Sequence, residues 1–127
     1  MNVLVSEPGD PTVGEPAAMG PPETVARWHE IVVSRDRSAL RALLAPEAVF
    51  RSPAVHAPQE GAERAYAYLA AALEVLGPSL TYHREWYRPG GAVLEFTAEL
   101  DGLDVHGVDI IGWNAEGQIT SFEVMVR

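Results

Sequence analysis

Residues 94–109 read LEFTAELDGLDVHGVD, and this stretch decides the fold. Apolar and polar side chains alternate on both sides of Asp101-Gly102, a dipeptide typical of two-residue turns between antiparallel strands. A turn at this dipeptide fixes which residues lie opposite each other on the two strands. The paired residues on one face are then Leu100–Leu103, Ala98–Val105, Phe96–Gly107 and Leu94–Asp109.

Strands and helices occupy separate parts of the chain. The hairpin belongs to four strand-like runs, at residues 80–88, 92–100, 103–113 and 118–126. Before them, apolar residues recur at helical spacing from Glu23, around Leu40 and over 61–76, with one short strand at 47–52. Helices first and an antiparallel meander last predict an α+β fold. We expect a cone-shaped curved antiparallel sheet that wraps around three N-terminal helices and leaves a pocket inside.

The composition is that of a globular protein and excludes several classes of partner. The chain has 127 residues, 47% hydrophobic and 21% charged, which suits one domain with its own core. Nine arginines, without any lysine, stand against 18 acidic residues, and the net charge of −9 argues against nucleic acid and anionic membranes. The sequence has no run of about 20 apolar residues, and its first residues do not predict a signal peptide, so we expect a cytoplasmic protein with a small hydrophobic ligand. The absence of Cys excludes disulfides and thiolate zinc sites.

The chain divides after residue 22. Residues 1–22 contain five of the ten prolines and lack apolar periodicity, which predicts a disordered or loosely ordered N-terminal arm. An added edge strand through Val3-Leu4-Val5 is the alternative for this segment. Residues 23–127 form the α+β cone domain.

Asp109 is the one ionisable residue in the middle of the predicted inner face of the sheet. Pairing Trp113 with Gln118 in the next hairpin sets Asp109 opposite Phe122. The inner face then holds Leu94, Phe96, Ala98, Val105, Asp109, Ile111, Phe122, Val124 and Val126, and the outer face includes Val108, Ile110, Ile119 and Met125. Among apolar neighbours a carboxyl has a raised pKa, and its neutral form donates a hydrogen bond to a ligand carbonyl or a developing oxyanion. A carboxyl that only satisfies core groups is the alternative.

The order of the elements and three segments carry a resemblance to a known superfamily. The segments are 43–53 (LLAPEAVFRSP), the helix from Gly61, and 107–119 (GVDIIGWNAEGQI). Over residues 23–127 the chain resembles the nuclear transport factor 2-like cone, specifically its SnoaL-like and ketosteroid isomerase-like branch. The resemblance implies the cone fold but leaves the activity open, because this fold hosts isomerases, cyclases, dehydratases, epoxide hydrolases and non-catalytic binders.

The resemblance carries over only part of the ketosteroid isomerase site. Those enzymes use an Asp base, together with a Tyr and a protonated Asp that form the oxyanion hole. Asp109 falls at the position of the oxyanion-hole Asp. Ser52, before Pro53, stands where the base lies, and Trp28 stands where the Tyr of the first helix lies. Steroid isomerisation by that mechanism is therefore not expected.

His29 is the second candidate catalytic residue. It shares the apolar face of the first helix with Trp28, so we expect its imidazole inside the cone, in a dyad with Asp109 and with His29 as the proton shuttle. A structural core histidine is the alternative. His56, in a proline-rich stretch, is either a solvated loop residue or a residue at the rim of the pocket. The sequence contains no His-x-x-x-His and no phosphate loop, so neither a metal nor a cofactor is expected.

The pocket walls depend partly on which way the first strand of the meander faces. A three-residue loop at 89–91 points Tyr82, Arg84 and Trp86 inward. A two-residue loop points His83, Glu85 and Tyr87 inward. The apolar content of the strand favours the first alternative. The ligand-binding candidates are Trp28, Ser52, Tyr66, Tyr82, Trp86, Phe96, Ile111 and Phe122.

Two functions of different classes remain open. The domain is either a cofactor-independent isomerase, cyclase or dehydratase acting by proton transfer on a small hydrophobic carbonyl compound, or a non-catalytic small-ligand-binding or accessory domain. If the domain is an enzyme, Asp109 and His29 should lie within hydrogen-bond reach of each other across an open cavity. A cone filled by Trp28, Phe96 and Phe122 favours the second. The apolar residues on the outer sheet face predict a homodimer through that face.

Overall fold

The computed structural model of the chain describes residues 20–127. The arm expected over residues 1–22, with its alternative edge strand, lies outside this range except for its last three residues. The described residues form three α-helices and six strands. The helices are α1 (Glu23–Ser34), α2 (Arg37–Leu43) and α3 (Ala62–Leu76). The strands are β1 (Leu44–Arg51), β2 (Gln59–Glu60), β3 (Thr81–Arg88), β4 (Gly91–Leu100), β5 (Leu103–Trp113) and β6 (Ile119–Val126).

The six strands form one curved, unclosed sheet in the order β2-β1-β6-β5-β4-β3. Neighbouring strands are antiparallel, except that β1 and β6 are parallel. The predicted α+β class and the curved sheet around three helices are confirmed. The strand expected at 47–52 begins earlier, at Leu44, because Leu44 already pairs with Ile119. The two-residue strand β2 was not predicted.

The β4–β5 hairpin has the predicted register along its whole length. Asp101 and Gly102 have φ angles of 52° and 81°, as a two-residue turn of the type I′ class requires. The pairing runs from Leu100 opposite Leu103 to Leu94 opposite Asp109. Asp109 is therefore on the inner face.

The β5–β6 register differs from the predicted one by two residues. Asp109 lies opposite Val124 rather than Phe122. The loop before β6 is one residue longer than expected, and a β-bulge at Thr120 adds a second residue. A shift of two residues leaves Asp109 on the inner face of the sheet. Between the bulge and the turn, the side chains that face inward and outward are exchanged, so Ile119, which was expected on the outer face, is completely buried.

Strand β3 contains a second bulge, which changes the residues that face the interior. Residues 83–84 lie opposite the single residue Glu95. The loop before β4 has two residues, which sets Glu85 inward, and the bulge then turns Tyr82 inward as well. Trp86 lies on the outer face and is 51% exposed, so its expected position in the pocket wall is wrong. Each of the two alternatives for this strand holds for only part of it.

The helices close the inner face of the sheet. α1 and α3 each bury one apolar stripe against it, as their periodicity predicts. The core residues from the helices are Val25, Trp28, Ile31, Val32, Ala65, Leu69, Ala70 and Leu73. Those from the sheet include Phe50, Leu94, Phe96, Ile111, Ile119 and Phe122.

Candidate functional site

Asp109 lies in the interior of the cone and is held by one side chain. It is 5% exposed, and the Tyr82 hydroxyl donates a hydrogen bond to its Oδ2. Burial among apolar side chains raises the pKa of Asp109 from 3.8 to about 7, while the hydrogen bond from Tyr82 acts in the opposite direction. The carboxyl is therefore mostly neutral below about pH 7.

Trp28 extends this contact into a polar chain, which consists of Trp28, Tyr82 and Asp109. Its Nε1 donates a hydrogen bond of 2.8 Å to the Tyr82 hydroxyl oxygen. Burial, together with the nearby Asp109 charge, raises the pKa of Tyr82 well above its usual value, so the hydroxyl keeps its proton. Because Tyr82 accepts from Trp28 and donates to Asp109, the direction of every hydrogen bond in the polar chain is fixed.

Three local features bring the polar chain together. Helical spacing places Trp28 on the inward face of α1, where its ring packs against Phe122 with the ring centroids 4.8 Å apart. The bulge at 83–84 turns Tyr82 inward, and the register set by the Asp101-Gly102 turn places Asp109 on the inner face of the sheet. The first and third features are visible in the sequence pattern, whereas the bulge is not.

His29 is paired with Glu85 and not with Asp109. Its Nε2 lies 2.7 Å from Oε2 of Glu85, and Oε1 of Glu85 accepts a 2.6 Å hydrogen bond from Tyr87. The His29 ring packs edge-on against Tyr82, with the centroids 5.0 Å apart. The expected dyad of His29 and Asp109 does not form, because the two-residue loop before β4 sets Glu85 inward and the β3 bulge turns Tyr82 inward as well. Tyr82 then bonds Asp109, and Glu85 bonds His29.

The cavity beside Asp109 is small. Its volume is about 30 Å³, which holds a water molecule but no larger ligand. The lining residues are Trp28, Leu69, Ala72, Leu73, Leu76, Leu80, Tyr82, Phe96, Asp109, Phe122 and Val124. The interior is thus filled largely by aromatic and leucine side chains. Within residues 20–127, the expected open cavity between Asp109 and His29 is therefore not present.

A larger hollow lies outside the interior, where β1 ends. It has a volume of about 340 Å³ and lies between loop 52–58 and the last residues of β6. Ser52 borders it, and its Oγ accepts a 3.1 Å hydrogen bond from the backbone N–H of Ala54, which holds the turn after β1. His56 is an exposed loop residue that borders the hollow and not the interior cavity.

The eight ligand-binding candidates separate into two groups. Trp28, Tyr82, Phe96 and Phe122 border the cavity beside Asp109, and the other four do not. Tyr66 lies under the Arg41 guanidinium, 3.8 Å from its ring centroid, and Ile111 is a buried core residue. Trp86 lies outside the cone, and Ser52 borders only the hollow.

Some residues of the site were missed. Leu69, Leu73 and Leu76 border the cavity, and their helical spacing on α3 could have indicated this. Glu85 was placed inward only by the two-residue-loop alternative for β3, which the apolar content of the strand did not favour.

Within residues 20–127, no group of three His, Asp or Glu side chains is arranged to hold a metal ion. No helix in the same range has the length and apolar character needed to cross a bilayer.

Solved structures with the same fold include two that are also similar in sequence. A Pseudomonas aeruginosa protein described as a steroid delta-isomerase is 40% identical over 82% of this chain and 77% of its own, with a TM-score of 0.75. An uncharacterised Silicibacter pomeroyi protein with a cystatin-like fold is 33% identical over 83% of this chain and 74% of its own, with a TM-score of 0.75. A Catenulispora acidiphila protein with a ketosteroid isomerase-like fold, solved with trimethylamine, is 18% identical over 84% of this chain and 86% of its own, with a TM-score of 0.64. The last likeness shows the fold alone.

The family is shown by sequence as well as by fold. No functionally curated protein matches the chain. The model of the SnoaL-like domain matches residues 25–122, which cover α1 to β6 and include Asp109. The resemblance in the order of elements and in segments 43–53 and 107–119 is therefore confirmed, and the chain belongs to the SnoaL-like domain family within the nuclear transport factor 2-like fold.

Proposed function

We propose that this chain binds a small apolar carbonyl compound, whose oxygen accepts a hydrogen bond from the neutral carboxyl of Asp109. The position of Asp109 carries this proposal. Tyr82 donates to Oδ2, so the proton of the neutral acid resides on Oδ1, and the carboxyl borders the cavity. Below its pKa of about 7, Asp109 is a buried donor among apolar walls. A neutral oxygen acceptor fits this site, because a second buried negative charge next to Asp109 would be unfavourable.

A thermal-shift screen tests the binding function. Steroid, polyketide and terpenoid carbonyl compounds are tested at about pH 6 and about pH 8.5 with the wild type and with Asp109→Asn. A true ligand raises the melting temperature of the wild type at the lower pH and loses most of this effect at the higher pH, where Asp109 ionises. The Asn variant keeps an acceptor for Tyr82 and an amide N–H that donates to the ligand, but it has no acid to titrate, so its shift is independent of pH. Equal shifts in both proteins at both pH values contradict the proposal.

Proton-transfer catalysis is the second candidate function. The 40% identity with the Pseudomonas aeruginosa protein described as a steroid delta-isomerase favours it. A hydrogen-bond donor against a carbonyl oxygen is also what isomerisation, cyclisation or dehydration through an enolate needs. No base faces the cavity in the described residues: Ser52 borders only the hollow, and His29 is bonded to Glu85.

Deuterium exchange separates catalysis from binding. A compound that binds in the thermal-shift screen is incubated with the protein in D₂O, and loss of the C–H signal next to its carbonyl is followed by NMR. Catalysis predicts exchange that Asp109→Leu, which has no donor, slows by roughly 10²–10³-fold, the usual effect of removing one oxyanion donor. Binding without exchange leaves the binding function alone.

We also propose that two copies of the chain associate through the outer face of the sheet. Trp86, Ile110 and Met125 are 51%, 36% and 50% exposed on this face. Large apolar side chains clustered on one face are typical of an interface between subunits.

A further inference from the structure

The small cavity and the larger hollow share one side chain, that of Val124. Val124 lies directly opposite Asp109 in the β5–β6 ladder and is half-buried. It borders both the 30 Å³ cavity and the 340 Å³ hollow. Val124 therefore stands between the buried carboxyl and a space that is open to solvent.

The strand that carries Val124 runs past the end of its neighbour. β1 pairs with β6 only as far as Arg51 opposite Glu123. On the side away from β5, residues 124–126 therefore face loop 52–58 rather than another strand of the described chain. A valine has one side-chain torsion, so a single rotamer change moves its methyl groups without disturbing a strand pair on this side.

We propose that the cavity and the hollow are two compartments of one ligand site divided by Val124. The apolar body of the ligand lies in the hollow against Pro53, Val55 and Val126, and its oxygen reaches Asp109 when the Val124 side chain turns aside. This inference rests on the proposed function of Asp109 as the donor to the ligand.

The sizes and the chemistry of the two compartments define the ligand class. The hollow, at about 340 Å³, falls within the usual range for small-molecule sites, roughly 300–1,000 Å³. The cavity, at about 30 Å³, accommodates only the oxygen end. Arg51 and His56 border the hollow, so a second hydrogen-bonding group at the far end of the ligand fits there. The ligand class is an elongated apolar ketone or aldehyde with a hydroxyl group at its other end.

A titration without ligand tests whether Val124 divides the site. The Asp109 carboxyl is titrated by carbon-13 NMR in the wild type, in Val124→Ala and in Val105→Ala. Val105 is a matched control, because it is a half-buried valine on the inner face that borders neither compartment. Val124→Ala removes the side chain between the two compartments and admits water to Asp109, so it should lower the pKa of Asp109 by roughly one unit or more. Val105→Ala should leave this pKa unchanged. An unchanged pKa in Val124→Ala overturns the division, whether or not a ligand binds.

A binding measurement then tests the ligand class with a defined probe. Isothermal titration at about pH 5, where Asp109 stays mostly neutral even after the expected fall in its pKa, uses 4-(4-hydroxycyclohexyl)cyclohexanone, a two-ring ketone with a distal hydroxyl group. Val124→Ala should bind it roughly tenfold more tightly than the wild type, equivalent to about 1.4 kcal/mol, and Val124→Phe should not bind it. Equal affinity in all three proteins overturns the role of Val124 in binding. A lowered Asp109 pKa in Val124→Ala, with no binding to any of the proteins, supports the division and overturns the proposed ligand class and the function on which it rests.

Discussion

Asp109 makes the stability of the fold depend on pH. Its pKa is about 7 in the folded protein, against an ordinary value of 3.8. Between these values the folded state holds a proton that the unfolded chain releases, so the free energy of unfolding falls as the pH rises. This contribution is fully present below about pH 4 and is lost as the pH passes through 7. A shift of about three pKa units corresponds to roughly 4 kcal/mol.

Replacing Asp109 by Asn should remove this pH dependence. The Asn side chain keeps the shape of the carboxyl and an acceptor for Tyr82, but it does not titrate. The stability of Asp109→Asn relative to the wild type should therefore rise by about 4 kcal/mol between about pH 4 and pH 8. Urea unfolding of both proteins across this range measures the difference. If the difference in unfolding free energy between the two proteins stays constant across this pH range, Asp109 is not a buried, neutral carboxyl.

Tyr82→Phe should destabilise the protein and raise the pKa of Asp109 further. The change removes the donor to Asp109 and the acceptor of Trp28 Nε1, which leaves two interior polar groups without this partner. We expect a loss of roughly 1–3 kcal/mol in urea unfolding. Tyr87→Phe is the control, since it removes the same hydroxyl from a tyrosine that is 43% exposed. Similar losses in the two variants would argue against the importance of the polar chain.

At the scale of single elements, β5 requires glycine at position 107. A Cβ atom there would lie 2.4 Å from the Met125 carbonyl oxygen and 2.8 Å from Phe96 Cζ. Gly107→Ala should therefore lower the stability by roughly 1–3 kcal/mol or more, because backbone atoms cannot move aside cheaply. Gly112→Ala is the matched control on the same strand, where the nearest atom lies 3.8 Å away. Equal melting temperatures for the two variants would show that β4, β5 and β6 are less tightly packed than described.

The sequence predicts the strands but not their irregularities. Asp101-Gly102 has a strong turn preference, so the whole β4–β5 register and the buried position of Asp109 follow from it. The bulges at 83–84 and at Thr120 result from the fit of the strands to the curved sheet and require no particular residue type. The fold and the inward positions of Trp28 and Asp109 were therefore predictable. The bond from Tyr82 to Asp109 was not, because it depends on the first bulge, and the contact of His29 with Glu85 was not, because the sequence left the length of the loop before β4 open.

At the scale of the whole molecule, the exposed apolar face of the sheet predicts a homodimer. Sedimentation equilibrium at micromolar concentration should give twice the mass of one chain. Met125→Glu should shift the protein to the monomer, because it places a charge within the apolar part of the interface. Val33→Glu is the control, since this valine is 84% exposed on α1, outside the sheet. A wild-type monomer at this concentration contradicts the proposed association.

The proposals for ligand binding all depend on one acidic group that is neutral inside the cone. Carbon-13 NMR of the wild-type protein, with the Asp109 side-chain carboxyl assigned by comparison with Asp109→Asn, measures this directly. A midpoint near pH 7 is the expected result. A midpoint below about 4.5, in the range of solvent-exposed carboxyl groups, would contradict the burial of Asp109 and remove the basis for the proposed site.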